Sequence, residues 1–481
     1  MIIKQLIEKL HQYRESIYQS FEYRADAIMD LLDSLCSNTS ASSVVALSLN
    51  TLFRRNYSSI EKSIDNLSAS RVTDNEKEQR LRLEKIHQEI IIGQLPALTK
   101  RNYHLFAIDV TPQPRPFART LSDRKVVHAP NPTLSNKPIA VGHEYSHLVY
   151  LPEKEPRPSP SWVVPLSVRR VASKEKATQV ATNQLAALMK NQRLPFATEF
   201  CLQLGDCVYA AVDYIHNNKQ HANLVSAARL RANRTLYFQP PEIAKAGKGH
   251  PTWYGKAMKL KNANHYPADQ ECHTTYTSHT GRTFNIRIKS WDNLLMRGKR
   301  DCPLQDHPLK LMRIDAFKPN GKPLYRRPLW LVVAGQRRNE IAITDIWLAY
   351  AQRYDIEHYF RFAKQRLLMS SYQTPDVDHE ENWWHLTMLA YCQLYLAAPL
   401  AHQLPHPWEA KKLSSSSSLL SPSAVQRDFA RIIKGIGTPA KAPKTRGISH
   451  GRRNGVKLLP RKTIKIIFKS KSEVINQAKH F

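Results

Sequence analysis

Two short apolar runs that each end at an aspartate constrain the fold of this chain more than any other feature. The first run is Tyr103–Ile108, which is followed by Asp109, and the second is Phe200–Leu204, which is followed by Gly205 and Asp206. Short, nearly continuous apolar runs are typical of strands buried on both faces of a sheet. A carboxylate is costly to bury unless it is paired or bound to a metal. We therefore expect both aspartates at strand ends, on the rim of a central sheet where functional side chains collect.

Further periodic segments around these runs predict a mixed sheet covered by helices on both faces. Strand-like segments come first and then alternate with helical ones, which is the order expected of such a sheet. The predicted strands are Val126–Val127, His147–Tyr150, Trp162–Val168, Ala222–Ala227 and Leu329–Ala334. The predicted helices are Lys176–Lys190, Val208–His216, one long helix over Ile341–Met369, and Trp383–Leu400. The sequence thus favours the α/β class.

Composition and periodicity divide the chain into five segments. Residues 1–95 have the apolar period of helices and a nearly balanced charge, so they are predicted to form a helical domain that could recognise DNA. Residues 96–228 and 326–404 carry the two parts of the predicted core. Residues 229–325, rich in Lys, Arg, Tyr, His, Pro and Gly, are predicted to be a β-rich insertion, with strands at Thr235–Phe238, Thr274–Ser278 and Thr283–Ser290. Residues 405–481 are predicted to be a serine-rich linker and a basic tail.

The charge of the chain points to a polyanionic partner. The formal net charge is +31, far above what solubility alone requires, although a solubilising surface is the alternative interpretation. Between residues 431 and 470 there are 12 lysines and arginines and no acidic residue. Prolines and glycines in this stretch argue against a packed fold, so we expect either an extended arm on DNA or simple disorder. Arg452 and Arg453 are the phosphate contacts that we expect in this arm.

The remaining composition excludes several other classes of protein. The six cysteines form no C-x-x-C pair, so the sequence indicates neither a zinc ribbon nor a disulfide framework. The segment Met1–Leu10 lacks the apolar stretch of a secretory signal. The most apolar helix, 386–400, carries polar residues and is expected in the core rather than in a membrane. We expect a cytoplasmic, nucleoid-associated protein with no membrane partner.

The segment from residue 350 to residue 364 places one acid and three phosphate-binding groups on one helical stripe. At about 100° per residue, Tyr350, Arg353, Glu357 and Lys364 fall on the same side of a helix. Taken alone, the pattern favours a solvated charged face on which Arg353 and Glu357 pair at a spacing of four residues.

The spacing Y-x2-R-x3-E-x6-K resembles the signature of the DDE transposases of bacterial insertion sequences, in the group of hairpin-forming cut-and-paste enzymes. Tyr350, Arg353, Glu357 and Lys364 match it completely, and Asp109, in Ala-Ile-Asp-Val-Thr, and Asp206, in Leu-Gly-Asp-Cys-Val-Tyr, are then similar to the first two family acids. The resemblance covers roughly residues 1–400. It implies a ribonuclease-H-like mixed sheet with a β-rich insertion, preceded by a helical domain and followed by a basic tail.

The resemblance also implies the chemistry of the three acids. Asp109, Asp206 and Glu357 would bind two Mg²⁺ ions, or Mn²⁺, which activate the attacking water or 3′-hydroxyl and stabilise the leaving oxygen. Arg353 and Lys364 would bind phosphates beside the scissile bond, and Tyr350 would donate to a phosphate or stack near it. The implied partners are double-stranded DNA, as transposon ends and target, and a second copy of the chain in a homodimer on DNA.

In related hairpin-forming enzymes an aromatic residue of the insertion receives a flipped base, and Trp291 is the candidate here, with Arg297 close by as a DNA contact. The alternatives are a tryptophan that packs in the core or a hairpin, and Trp253 in the same role. Both His143 and His147 are expected to be structural or to support the site.

The sequence therefore predicts a DNA transposase that binds terminal inverted repeats, cleaves DNA by two-metal-ion hydrolysis and joins the 3′ ends to target DNA. Two other hypotheses stay open: a non-catalytic DNA-binding protein derived from a transposase, and a repair-type DNA nuclease. All three predict DNA binding that weakens with salt. Only the transposase hypothesis predicts cutting at paired repeats followed by joining.

Overall fold

The centre of the fold is a mixed sheet of ten strands, seen in a computed structural model that describes residues 2–129, 138–154, 159–241, 253–278, 281–402, 419–444 and 460–466. The strands of the chain are β1 His104–Pro114, β2 Lys125–His128, β3 Ile139–Tyr150, β4 Val164–Arg170, β5 Cys201–Gly205, β6 Leu224–Arg229, β7 Thr235–Tyr237, β8 Ala257–Lys259, β9 Gln270–Thr277, β10 Thr283–Leu294, β11 Leu309–Phe317 and β12 Leu329–Ala334. The small strands β7 and β8 form a separate pair.

Ten α-helices accompany these strands in the described residues. They are α1 Ile2–Ser20, α2 Ala25–Cys36, α3 Ser58–Asp65, α4 Glu76–Gly93, α5 Ala177–Lys190, α6 Val212–Asn218, α7 Ile343–Gln352, α8 Asp355–Arg366, α9 Val377–Ala397 and α10 Pro422–Ile436. Short 3₁₀ segments lie at Val45–Leu49, Pro195–Ala197, Leu260–His265 and Ala398–Leu400. None of the helices in the described ranges is long and apolar enough to cross a membrane.

The sheet has the strand order β2-β3-β1-β5-β6-β12-β11-β10-β9, and β4 pairs with the other part of β3. Strand β1 runs antiparallel to β3 and parallel to β5, which in turn runs parallel to β6. The helices α5 and α6 make the crossovers that two parallel pairs require. Every residue of β5 is buried, as its continuous apolar run predicts. The α/β class is confirmed, and the mixed sheet is consistent with a ribonuclease-H-like DDE fold.

The N-terminal helices pack onto the helix α9 and share one continuous hydrophobic core with the sheet. A buried polar cluster joins them: the Arg14 guanidinium of α1 binds both carboxylate oxygens of Asp33 in α2, and the Gln393 amide of α9 donates to Asp33 at 3.1 Å. Segment 1–95 is therefore helical as predicted, and its apolar faces are buried against the rest of the chain. Arg54 and Arg55, between α2 and α3, pair with the buried Asp30.

The predicted insertion contributes strands to the central sheet itself. The predicted strands near Thr235, Thr274 and Thr283 are confirmed as β7, β9 and β10. The strand β11 was not predicted, and it connects β10 to β12 so that β9, β10 and β11 extend the core sheet. In β11, the Lys310 side chain is buried and pairs with Asp292 at 3.5 Å, so a charged residue lies inside the sheet.

The predicted tail contains a helix near its start, and residues 445–459 and 467–481 of the tail lie outside the described residues. The helix α10 begins at an N-cap, Ser421, whose hydroxyl accepts a hydrogen bond from the Ala424 amide, and Pro422 occupies its first turn. Its apolar face, which includes Val425 and Phe429, is buried against α9 and α2. The chain after α10 stays docked through the Lys441 amide, which donates to Asp26. The serine run 414–418 lies outside the described residues.

The long helix predicted over 341–369 is divided into α7 and α8 at Arg353 and Tyr354. The amides of Ile356 and Glu357 bond to the carbonyls three residues earlier, so the backbone tightens there and the regular ladder is interrupted. No proline or glycine stands at the break. We attribute it to tertiary contacts, because Asp355 is buried beneath Lys154 and Arg353 turns toward the sheet.

Candidate active site

Asp109 and Asp206 lie at the same level on neighbouring parallel strands. The last registered pair between β1 and β5 is Ala107 with Leu204, so two residues farther along, Asp109 stands beside Asp206. The prediction that Asp109 ends a strand is wrong, because β1 continues to Pro114 and pairs Asp109 with His147 of β3. It is β5 that ends there, which opens the sheet beside Asp109. The rim position expected for the two aspartates thus comes from a difference in strand length.

The turn that carries Asp206 depends on a close packing between Gly205 and Tyr209. A Cβ at Gly205 would lie 2.6 Å from the Tyr209 Cβ, so no larger residue fits without movement of this turn. The Tyr209 ring is fully buried beneath the two aspartates. One Asp206 oxygen accepts a 2.8 Å hydrogen bond from the Val208 amide, which fixes the carboxylate over the turn. Sequence reasoning missed Tyr209, although its spacing after the Gly-Asp pair was visible.

Arg353, at the break between α7 and α8, and Glu357, in the first turn of α8, reach the same rim. The Arg353 Nη1 donates a 3.1 Å hydrogen bond to Asp109 Oδ2, and both side chains are only 15% exposed. Burial raises the pKa of Asp109 to about 6, the Arg353 guanidinium opposes this shift, and the carboxylates of Asp206 and Glu357 add to it. Burial disfavours the charge of Arg353, but Tyr350 and the three carboxylates around it raise its pKa overall. The three acids therefore share one electrostatic environment.

Lys364 and Tyr350 flank this group of charges. The Lys364 ammonium donates to the Pro112 carbonyl of β1 at 2.9 Å, and burial lowers its pKa to about 8 while Glu357 opposes the shift. Tyr350 is 9% exposed, and the Arg353 guanidinium carbon lies 5.5 Å from the centre of its ring. The four residues predicted to share one helical stripe therefore still lie near one another despite the helix break. Tyr350 is on α7, Arg353 is at the break, and Glu357 and Lys364 are on α8.

The three carboxylates supply the oxygen donors that Mg²⁺ and Mn²⁺ prefer. Within the described ranges, however, no three acidic, histidine or cysteine side chains already stand close enough to hold an ion. Arg353 contacts one oxygen of Asp109, and the Glu357 carboxylate makes no hydrogen bond or ion pair with another described residue. The donor chemistry of the three acids fits a divalent cation, and Arg353 contacts an Asp109 oxygen that such a cation could use.

The histidines near the first acid are structural. The imidazole of His143 bridges the Glu380 carboxylate, at 2.7 Å, and the Ser122 carbonyl, at 2.9 Å. His147 is fully buried among the rings of Tyr359, Phe360 and Trp384. Burial lowers the pKa of His147 to about 3, and the nearby Lys364 charge lowers it further. Each therefore serves the packing beneath the rim.

A cleft of about 860 Å³ opens next to Tyr350 and Arg353. Its walls combine aromatic rings with cations, which is the composition that nucleic-acid grooves favour. The cations that line it include Lys154, Arg229, Arg326, Arg327 and Arg353, and His358 also lines it. Sequence reasoning did not single out the first four, because they come from loops and strand ends far apart in the chain.

The remaining predicted DNA contacts have different outcomes. Trp291 is only 2% exposed, its ring lies 6.0 Å from that of Trp330, and its indole donates to the Tyr266 carbonyl. A ring buried in this way packs the hairpin of β10 and β11 and cannot receive a base. The prediction that Trp291 receives a flipped base is therefore replaced by the alternative of a packing tryptophan. Arg297 is exposed at the start of the loop after β10. Arg452 and Arg453 lie outside the described residues.

Comparison with known proteins assigns the family. No curated protein shows significant similarity to the chain. The family model described as DDE superfamily endonuclease matches residues 16–297, which is more than half of the 481 residues. The matched range contains Asp109 and Asp206 and ends before Glu357. The family's members are metal-dependent nucleases that act on DNA, in agreement with the acids and cations at the rim of the sheet. The chain belongs to the DDE superfamily endonuclease family.

Proposed function

We propose that the protein is a cut-and-paste DNA transposase of the bacterial insertion-sequence type, whose catalytic acids are Asp109, Asp206 and Glu357. The observation that carries the proposal is the placement of Asp109 and Asp206 side by side where β5 ends, with Glu357 approaching from α8. In this proposal the three acids come from distant parts of the chain and lie near three side chains that would bind phosphate, Tyr350, Arg353 and Lys364.

In this proposal the three carboxylates hold two divalent ions, Mg²⁺ or Mn²⁺. When bound, such ions activate the attacking oxygen and stabilise the leaving one. Asp109 and Asp206 lie side by side on neighbouring strands, and the nearby side chains of Tyr209 and His147 are buried. Asp206 is held over its turn by the Val208 amide, which limits the movement needed to bind an ion.

Arg353, Lys364 and Tyr350 position the DNA strand. With divalent ions bound, Asp109 would no longer need Arg353 as its counter-ion, and the guanidinium would be free to bind a phosphate beside the scissile bond with two hydrogen bonds. Lys364 binds a phosphate as a point charge, and its ammonium also donates to the Pro112 carbonyl of β1. Tyr350 backs the Arg353 guanidinium and sets the direction of its fork.

The DNA substrate would be the terminal inverted repeats of the element and a target duplex, brought together by a homodimer. The cleft beside Arg353 would receive the strand next to the cleavage point, since aromatic and basic groups line it. Exposed Arg297 would contact the backbone beyond it. The basic segment that contains Arg452 and Arg453 would add contacts that depend on charge rather than sequence.

The experiment that tests transposition is a paired-end cleavage and joining assay. Purified protein is incubated with Mg²⁺, a supercoiled plasmid that carries both inverted repeats from the flanks of the gene, and a target plasmid. Excision followed by covalent joining of the 3′ ends supports transposition. Cleavage without preference for the repeats and without joining indicates a repair-type nuclease, and repeat binding without cleavage indicates a non-catalytic derivative.

A further inference from the structure

A second cluster of cations lies at the edge of the sheet opposite the acids. The strand β6 begins there, and β12 and β11, which are antiparallel to their neighbours, bring Gly335 and the loop before Leu309 to the same edge. The length of β6 separates this edge from the rim by on the order of 15 Å. A cleft of about 740 Å³ opens between the end of α6 and these two loops.

The walls of this cleft carry two histidines, one lysine and one arginine. The cationic and imidazole residues are His216, Lys219, His307 and Arg338, and the amides of Asn217, Gln220 and Gln336 complete the polar lining. Burial lowers the pKa of His307, and the charges of Lys219, Arg338 and His216 lower it further. Four basic groups therefore crowd one position in the fold, with Asp306 as the acidic member of the lining.

The guanidinium of Arg338 is buried without a direct ion pair. The residue is 8% exposed, and its guanidinium donates to the Gly335 carbonyl at 3.2 Å and to the Asn293 amide oxygen at 2.9 Å. Burial lowers the pKa of Arg338, and the charge of Asp292 only partly opposes this shift. Its Nε has no hydrogen-bond partner among the described residues. A buried charge without a direct ion pair is costly, so an anion in the cleft would stabilise the arrangement.

The other donors are also available to an anion. The His216 Nδ1 donates to the Pro303 carbonyl at 3.0 Å, and its Nε2 becomes a second donor when the imidazole is protonated. The Lys219 ammonium is 3.6 Å from an Asp306 carboxylate that is 68% exposed, and it lies 3.5 Å from the Pro303 carbonyl. These are long contacts, and a phosphate oxygen would compete with them effectively.

From this geometry we propose that the cleft lined by His216, Lys219, His307 and Arg338 binds a phosphate group. The source that the overall charge favours is the backbone of a DNA duplex that passes along this edge, separate from the strand held at the acids. A free phosphate or nucleotide has the same chemistry at the contact. The proposal does not depend on cleavage activity, because it concerns only binding on the opposite edge of the sheet.

The test uses Lys219→Gln in the full chain, with Lys219→Arg as the conservative variant and Lys318→Gln, an exposed lysine in the turn after β11, as the matched control. In the first arm, thermal unfolding is followed in sodium phosphate and in sodium chloride of equal ionic strength. In the second arm, fluorescence anisotropy measures the affinity for a labelled duplex over a range of salt concentrations without Mg²⁺.

We expect Lys219→Gln to lose most of the phosphate-induced rise in the melting temperature, and Lys219→Arg and Lys318→Gln to retain it. If the natural ligand is a DNA phosphate, the slope of log affinity against log salt for Lys219→Gln also falls by about 0.9 relative to Lys318→Gln. Loss in the phosphate arm alone assigns the site to a free phosphate or nucleotide. A Lys219→Gln protein that matches Lys318→Gln in both arms overturns the proposal.

Discussion

The Arg353 guanidinium holds the Asp109 carboxylate through a 3.1 Å hydrogen bond at the place where a divalent cation would have to bind. The two charges are mostly buried, so their attraction is stronger than that of a surface pair. Arg353 thus acts as a counter-ion for a group of three acids that repel one another. Release of this contact is the step that links cation binding to phosphate binding in the proposed mechanism.

The first prediction concerns this competition. Removal of the guanidinium in Arg353→Ala should tighten Mn²⁺ binding by about tenfold or more, because a hydrogen bond between charged groups contributes about 1.5–3 kcal/mol and no longer opposes the ion. The same variant should lose DNA cleavage, since the phosphate contact is gone. Titration calorimetry with Mn²⁺ measures the first effect, and Arg361→Ala, exposed on α8, is the control. Unchanged or weaker Mn²⁺ binding would show that Arg353 does not guard the acids.

The second prediction concerns the turn beneath Asp206. In Gly205→Ala the new methyl group would lie 2.6 Å from the Tyr209 Cβ, so the turn must shift. We expect a loss of about 1–3 kcal/mol in the free energy of unfolding, as for other overpacked positions, together with reduced cleavage. Gly435→Ala is the matched control, because nothing lies within 4 Å of its added Cβ and alanine favours the helix α10. Equal stability of the two variants would show that close packing between Gly205 and Tyr209 does not hold this turn in place.

The third prediction concerns the buried histidine pair of the helical layer. The rings of His87 and His385 share a 2.7 Å hydrogen bond, and burial lowers the pKa of His385 to about 4 and that of His87 well below its usual range. Both stay neutral in the folded chain, while the unfolded chain takes up protons below about pH 6.5. Stability is therefore present above that pH and falls as the pH drops toward 4, by up to roughly 1.4 kcal/mol per pH unit for each histidine.

Urea unfolding at several pH values between 7 and 4 tests this dependence. His385→Gln keeps a polar partner for His87 and should give a shallower dependence on pH, whereas His11→Gln, exposed on α1, should leave the dependence unchanged. If the stability of His385→Gln follows that of the wild type at every pH, the pair is not the source of the acid sensitivity.

The fourth prediction concerns the attachment of the N-terminal helices. The pair of Arg14 and Asp33 is almost fully buried and also bonded to Gln393 of α9. We expect Arg14→Met to reduce the free energy of unfolding by about 3–5 kcal/mol, because Asp33 is left buried without its partner. The double variant Arg14→Met/Asp33→Leu should recover part of this loss, and Lys9→Met, on the exposed side of α1, should have little effect.

The same packing predicts how the chain unfolds. Because α1 and α2 share a core with α9, calorimetry of the wild type should show the helical layer and the sheet melting together, and a chain that begins at residue 96 should not fold. Two separate transitions, or a stable chain that begins at residue 96, would mean that the N-terminal helices form an independent domain.

Local patterns were sufficient to predict the strands that hold the acids. The runs that end near Asp109 and Asp206 are apolar because both faces of these strands are covered, and that cause acts within a few residues of sequence. The partnership of the two strands is not local. The two strands are expected to be neighbours only because each apolar run is followed by an acid. The structure adds that β1 continues past Asp109, whereas β5 stops before Asp206.

The elements that were not predicted depend on partners elsewhere in the chain. The strand β11 carries Lys310 inside the sheet, and the charge is tolerated because Asp292 of β10 lies beside it. The break at Arg353 has no helix-breaking residue and follows from contacts with Asp109 and Lys154. By contrast, α10 had a visible signal in Ser421 and Pro422, which the neighbouring serine run and basic composition obscured.

The central claim is that Asp109, Asp206 and Glu357 form one cation-dependent cleavage centre. The most direct test measures whether the variant Glu357→Gln cleaves a duplex that carries the terminal repeats. Glu340→Gln, which changes an exposed acid, is the control, and DNA affinity is measured for both variants. The account predicts that Glu357→Gln binds the duplex as well as the wild type and shows no Mg²⁺-dependent cleavage, while Glu340→Gln cleaves normally. Normal cleavage by Glu357→Gln would contradict the account.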